Sequence, residues 1–420
     1  VSDAPIPLGP EDRAILALEC QTIAGHTCKI VRLAPTEQGG LALEQLRARM
    51  AERIELAPAL TRKLGGSAHE PAWVADDDFD LNEHVVAAPV ERAVSRPELA
   101  ALVARLFEQR LDRSRPLWRI DLAPLQDGGT ALIWRIHHAL ADGTASVRFA
   151  RALLWDDSPE SAMSTAQVHA THAADEVRRR AHLAGFLRRE YARGECRSPF
   201  DGTIGTRREV AFAVVPLGPL HEAAKALDGA TVNDAVLSIV AGAAGRWVRL
   251  RHGELGTIRV QVPVSLHHEG DEVANHDSFF SVGLPLNEPD PVARLRATHA
   301  ATSERKLDHD AEYREHLLHE LSSVPPLEHL LTRIERNPRR FALSVSNVPG
   351  PREDVSVLDA PVAHLHSIAE IGERHALRVS ATSLAGLLCI GLCADPHLVD
   401  ELHLMAEGIE AEARELLDAA

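Results

Sequence analysis

Apolar residues recur along this chain with two periods, and the switches between them mark out its elements. Over 11–25 the positions Ile15, Leu16, Leu18 and Ile23 carry helical spacing, and over 41–54 Leu41, Leu43, Leu46, Met50 and Ile54 do the same. A third helix is predicted over 97–111, with Ser95 as its N-cap and Pro97 in its first turn. The β-prone run 29–33 reads as a strand, as do 114–122 and 131–137. Asp127-Gly128-Gly129 separates the last two and predicts a hairpin between them. After Gly143 the spacing of Val147, Ala150 and Leu154 returns to that of a helix.

From about residue 156 the pattern fades. The stretch 158–175 is rich in Ser, Ala, Thr and His and reads as a linker. Residues 176–197 then place seven arginines around Leu183, Phe186 and Leu187, a basic amphipathic helix. Such a helix most simply crosses between lobes with its charges in water, and it also suits an anionic membrane surface or a phosphorylated ligand. Beyond residue 201, strands are predicted at 210–215, 257–264, 278–286, 342–348, 376–382 and 387–392. Helices are predicted at 217–227, from an N-cap at Thr231 through Trp247, from 291 to about 331, and over 399–417. Strands mixed with helices on both sides of a linker define an α/β class with two lobes. The lobes are expected at 1–157 and 201–420, joined by 158–200.

Composition narrows the function. A formal charge of −16 argues against a general nucleic-acid binder. Five cysteines without a CxxC pair favour free thiols and a cytoplasmic setting, with Cys389 and Cys393 packed in an apolar run. No signal peptide is legible at the start, and the apolar run 384–394 is too short to cross a bilayer, so membrane contact is expected to be peripheral at most. The run Asp76-Asp77-Asp78 lacks the alternating ligands of a hard-cation loop and reads as a solvated turn, so no metal is expected.

The stretch that carries chemistry is 131–143. An apolar strand ends in His137-His138, and Asp142-Gly143 follows four residues later. With 23 histidines in the chain a His-His pair means little, and His267-His268 is a second. A pair with Asp-Gly at this offset is expected by chance in roughly one chain in 200 of this composition. A histidine fixed at a strand end suits a general base, the lesser alternative being a purely structural histidine.

These residues match the HHxxxDG signature of the bacterial wax ester synthase/diacylglycerol acyltransferase family, within the CoA-dependent acyltransferase superfamily. Further segments are similar to it in the same order. They are Trp73, Phe79 to Leu81 and His84-Val85, then Pro116-Leu117-Trp118, Asn233-Asp234, Pro263-Val264-Ser265, and Ser346-Asn347-Val348-Pro349-Gly350-Pro351. The chain departs from the family pattern at His267, at Ala274-Asn275, and at Ser383-Leu384-Ala385-Gly386, where a Ser-Tyr-x-Gly element is usual.

The resemblance implies two chloramphenicol-acetyltransferase-like lobes with a channel between them. It implies transfer of a fatty acyl group from acyl-CoA, as substrate rather than cofactor, to a hydroxyl acceptor that is a lipid: diacylglycerol or a long-chain alcohol. His138, matching the second histidine, is then the general base, and His137 supports or orients; the reverse assignment stays open. Asp142 is implied to be structural, paired with an arginine rather than with the histidine, and Gly143 lets the chain turn beside it. Asn233 is a candidate donor to the oxyanion, its alternative being a helix cap. Ser346 and Asn347 could shape the site between the lobes, although Pro349-Gly350-Pro351 fits a simple turn as well. Arginines that hold CoA are needed and cannot be named from the sequence. The competing readings are an acyltransferase of the same fold acting on a specialised metabolite or a carrier-bound acyl group, and a non-catalytic binding protein, which has no need of the histidine motif.

Overall fold

The structure, a computed structural model, describes residues 4–37, 39–67, 70–156, 198–265, 277–307 and 341–420. Its strands, in chain order, are β1 (Ile6–Pro7), β2 (His26–Leu33), β3 (Arg62–Gly66), β4 (Pro71–Ala75), β5 (Val85–Ala87), β6 (Trp118–Pro124), β7 (Thr130–His137), β8 (Glu209–Pro216), β9 (Thr257–Ser265), β10 (Asp277–Pro285), β11 (Leu343–Val348), β12 (Ser356–Val357), β13 (Ala360–Ala369), β14 (Leu377–Leu384) and β15 (Leu387–Ala394). Two six-stranded mixed sheets carry the architecture. One runs β12-β13-β2-β7-β6-β5 and the other β10-β9-β11-β14-β15-β8, with a small β1-β4-β3 sheet to the side. This is the two-lobed α/β class expected from the periodicity.

The histidine strand β7 sits in the middle of the first sheet, paired with β2 on one side and β6 on the other. Its residues alternate between two cores. Ala131 and Ile133 join the large cluster that continues into the second lobe. Leu132, Trp134 and Ile136 join the cluster beneath the helices Leu43–Arg53 and Gly143–Leu153. A strand buried on both faces is rigid, because every side-chain movement would open a void. The charge on this strand is also held: Arg135 pairs with Asp121 at 2.9 Å and donates to the Leu106 and Gln109 carbonyls at the end of the helix Arg96–Phe107. That helix starts at the Ser95 cap, where Glu98 completes a capping box.

The lobes are not two unbroken stretches of chain. β12 and β13 belong to the second half by sequence, yet β13 pairs with β2 and completes the first sheet. The two sheets meet closely there: Gly391 on β15 lies so near the Ser367 carbonyl on β13 that any side chain at 391 would collide with it. The expected division at 157 and 201 therefore leaves 356–369 on the other side. The linker 158–175, the basic helix 176–197, His267-His268, Ala274-Asn275 and the helical segment 308–331 lie outside the described residues.

The first helix is shorter than expected. It runs Pro10–Leu18, and Glu19 already has extended geometry. Cys20 and Ile23 then bridge in a tight turn before Gly25, at φ 74°. Cys28, Cys389 and Cys393 are buried free thiols and Cys20 is exposed. Asp76 is tied to Lys63 at 2.7 Å, and among the described residues no group of His, Cys, Asp or Glu could hold a metal ion. No helix among the described residues is long and apolar enough to cross a membrane.

Candidate active site

The end of β7 is locked by backbone bonds on both sides. The His137 N–H donates to the Leu117 carbonyl and the His138 N–H to the Gly25 carbonyl, each at 2.9 Å. Leu140 and Ala141 donate back to the His137 carbonyl, which closes the turn. Asp142 is the N-cap of the helix Gly143–Leu153: its Oδ1 accepts from the Ala145 N–H at 2.6 Å. A carboxylate at that helix start is also favoured by the helix dipole. Gly143 lies at the seam with the second lobe, where an added Cβ would stand 2.9 Å from a Val348 methyl carbon. The Ser346–Pro351 segment and the histidine motif, far apart in sequence, thus meet at Gly143 and Val348.

The two histidines differ sharply. His137 is 2% exposed. Its Nδ1 accepts from the Ala139 N–H at 3.2 Å, so the proton sits on Nε2, which faces Glu19 Oε2 at 3.4 Å. Glu19 is held in turn by Arg113 at 2.5 Å. Burial alone would raise the Glu19 carboxyl, but its bonds to His137 and Arg113 outweigh that and hold it down at about 2. Gly25 completes the enclosure, since a Cβ there would stand 2.7 Å from His137 Nε2.

His138 is the exception along this stretch. Every other residue from Gly129 to Asp142 is buried, and His138 keeps accessible surface. Its imidazole is pushed down to about 4, first by burial and then by the positive charge of Arg378 on β14; Asp142 acts weakly in the opposite sense. It is therefore neutral at physiological pH.

Asn233 is half-buried in the first turn of the helix Val232–His252 and is not its cap. Thr231 takes that role, in a capping box with Asp234. Asp234 is further bound by Thr302 at 2.6 Å and His299 at 2.9 Å. None of these contacts reaches the His137–Gly143 segment. Three residues around the site were not foreseen. Glu19 falls within the stretch whose spacing predicts a helix, Gly25 only gains meaning from its positive φ, and Arg378, whose charge bears on His138, stands on a strand more than 200 positions away, with no local signal. Only the glycine just before a strand could have been flagged from the sequence.

Comparison with known proteins follows this geometry. The sequence profile of the wax ester synthase/diacylglycerol acyltransferase catalytic domain matches residues 8–191, and that of the WS/DGAT C-terminal domain matches 273–417. A Mycobacterium tuberculosis protein designated probable diacylglycerol O-acyltransferase is 28% identical over 86% of this chain and 83% of its own length. Among solved structures, a wax ester synthase/diacylglycerol acyltransferase from Marinobacter aquaeolei superimposes with a TM-score of 0.74 at 23% identity, covering 98% of both chains. The first condensation domain of the CDA synthetase has the same fold more distantly, with a TM-score of 0.62 at 16% identity over all of this chain and 97% of its own. With profile matches across most of its length, and the HHxxxDG strand end built as described, the chain belongs to the wax ester synthase/diacylglycerol acyltransferase family.

Proposed function

We propose that this protein moves a fatty acyl group from acyl-CoA to a hydroxyl acceptor, with His138 as the general base. The observation that carries this is the accessibility of His138 in a stretch otherwise buried from Gly129 to Asp142. Neutral His138 takes the proton of the acceptor hydroxyl as its oxygen attacks the thioester carbonyl. The tetrahedral oxyanion collapses, the carbon–sulfur bond breaks, and the imidazolium returns its proton to the CoA thiolate. A thioester has a good leaving group, so no covalent enzyme intermediate is needed.

His137, Asp142 and Gly143 hold the base in place through the contacts described above. Asn233 remains our candidate for the oxyanion donor; its amide is half-buried and not spent on capping. A lost donor of that kind lowers kcat by about 100- to 1000-fold. Contact with a membrane or lipid droplet belongs to the same reading and rests on the arginines of 176–197. Neutralising Arg178, Arg179, Arg180, Arg188 and Arg189 should reduce flotation with anionic vesicles, and unchanged flotation contradicts the surface role.

The test of the reaction is direct. The pure protein is incubated with long-chain acyl-CoA and either diacylglycerol or a long-chain alcohol, and free thiol is followed. Thiol release matched by neutral lipid supports the proposal. Release only with another type of acceptor assigns the chemistry to a specialised metabolite instead.

A further inference from the structure

The face of the second sheet that meets the histidine motif is unusually rich in hydroxyls. β11 and β14 run parallel and in register, with Ser344 beside Arg378, Ser346 beside Ser380, and Val348 beside Thr382. Registered residues on parallel strands share a face, and so do residues two apart on one strand. Two contacts fix which face this is. Val348 packs against Gly143. Gly391, opposite Ser380 on β15, abuts β13 of the first sheet. The Ser346–Ser380 pair therefore lies on the face that meets Gly143, one registered pair along from Val348 and Thr382.

These hydroxyls are poorly occupied. Ser344, Ser380 and Thr382 are 7%, 2% and 0% exposed. Ser344 Oγ and Thr382 Oγ1 have no hydrogen-bond partner among the described residues. Ser346 donates to Ser380 at 3.2 Å, which leaves the Ser380 proton to give elsewhere. Native structures rarely leave buried hydroxyls unpaired, because each such group forfeits its hydration. The row carries no carboxylate, and it ends at Leu384, a member of the apolar core under the histidine motif. Beyond Arg378 at one end, the row offers neutral donors leading into apolar surroundings, which suit a lipid that carries carbonyl oxygens.

We infer that Ser344, Ser346, Ser380 and Thr382 form a hydroxyl-lined subsite for the ester carbonyls of a glycerolipid acceptor, which favours diacylglycerol over a plain long-chain alcohol. This rests on the acyl-transfer reading for the identity of the ligand, but its test needs no turnover. Dissociation constants are measured for dioctanoylglycerol, octanol and long-chain acyl-CoA on the full chain, as wild type, as the Ser346→Ala/Ser380→Ala double variant and as Thr382→Val. The preference of the wild type for dioctanoylglycerol over octanol should fall about tenfold in the double variant, the loss of one to two hydrogen bonds. It should fall by a smaller factor in Thr382→Val, whose isosteric side chain preserves packing and keeps the test open if the double variant misfolds. An equal loss for dioctanoylglycerol and octanol, a loss confined to acyl-CoA, no loss at all, or a wild type that binds no dioctanoylglycerol overturns the inference. A wild type that binds dioctanoylglycerol with this preference yet releases no thiol contradicts the acyl-transfer reading alone.

Discussion

His137 and His138 are neighbours in sequence with identical side chains, and the fold gives them opposite surroundings. His137 is walled in by Glu19, Gly25 and the Ala139 amide, with both ring nitrogens facing a defined group. His138, one residue on, leaves the strand and keeps accessible surface. The difference comes from the two sides of the strand end. His137 points into the layer closed by the N-terminal segment, whereas His138 feels the charge of Arg378 on β14. With His138 as the proposed base, the anchored His137 ring would fix the backbone from which the reacting ring projects.

That contrast can be broken in several ways. The largest effect is expected from His138→Ala, which should lower kcat about 100- to 10,000-fold with little change in stability. His137→Ala should instead lose stability along with activity, because Glu19 is left buried beside a cavity. Equal behaviour of the two variants would erase the distinction. Next comes Gly25→Ala. Its Cβ would meet the His137 ring and its φ is left-handed, so denaturant unfolding should show a loss of about 1–3 kcal/mol. Glu19→Gln keeps the shape and removes the charge; a cost of roughly 1 kcal/mol in stability, with kcat lowered more than KM is raised, is expected for a positioning group. A test that needs no substitution concerns acid. His26 and His366 are pushed down to about 3 and His375 to about 4, in each case mainly by burial. Folded-state values below the ordinary histidine range mean that stability is full above about pH 6.5 and is lost as pH falls from there. Melting temperatures measured between neutral pH and about pH 4 should decline smoothly, and a flat profile would contradict the burial of these rings.

Much of this was legible beforehand, for physical reasons that differ by element. The β6–β7 hairpin was readable because an Asp-Gly-Gly turn separates two apolar runs, and the Ser95 and Thr231 caps because capping is a local hydrogen-bond rule. The histidine doublet was readable as a motif, while the division of labour within it was not, since it depends on Glu19 and Arg378 arriving from distant elements. β13 passed unread: two histidines and a proline blur its alternation, and it is buried in a sheet seam that only the completed fold creates. For Asn233 the sequence leaves an oxyanion donor and a helix cap as alternatives, and the structure removes the second, because Thr231 two residues earlier holds the cap.

The most direct measurement is the pH dependence of kcat/KM for thiol release, compared between wild type and His138→Ala, with stability checked at each pH. The account predicts a wild-type rate that holds from about pH 8 down to about pH 5 and then falls with an apparent pKa near the value of about 4 set by burial and Arg378. The variant should lie at least about 100-fold lower and lack that limb. A variant that retains the wild-type rate and the same acid limb would show that another group takes the proton.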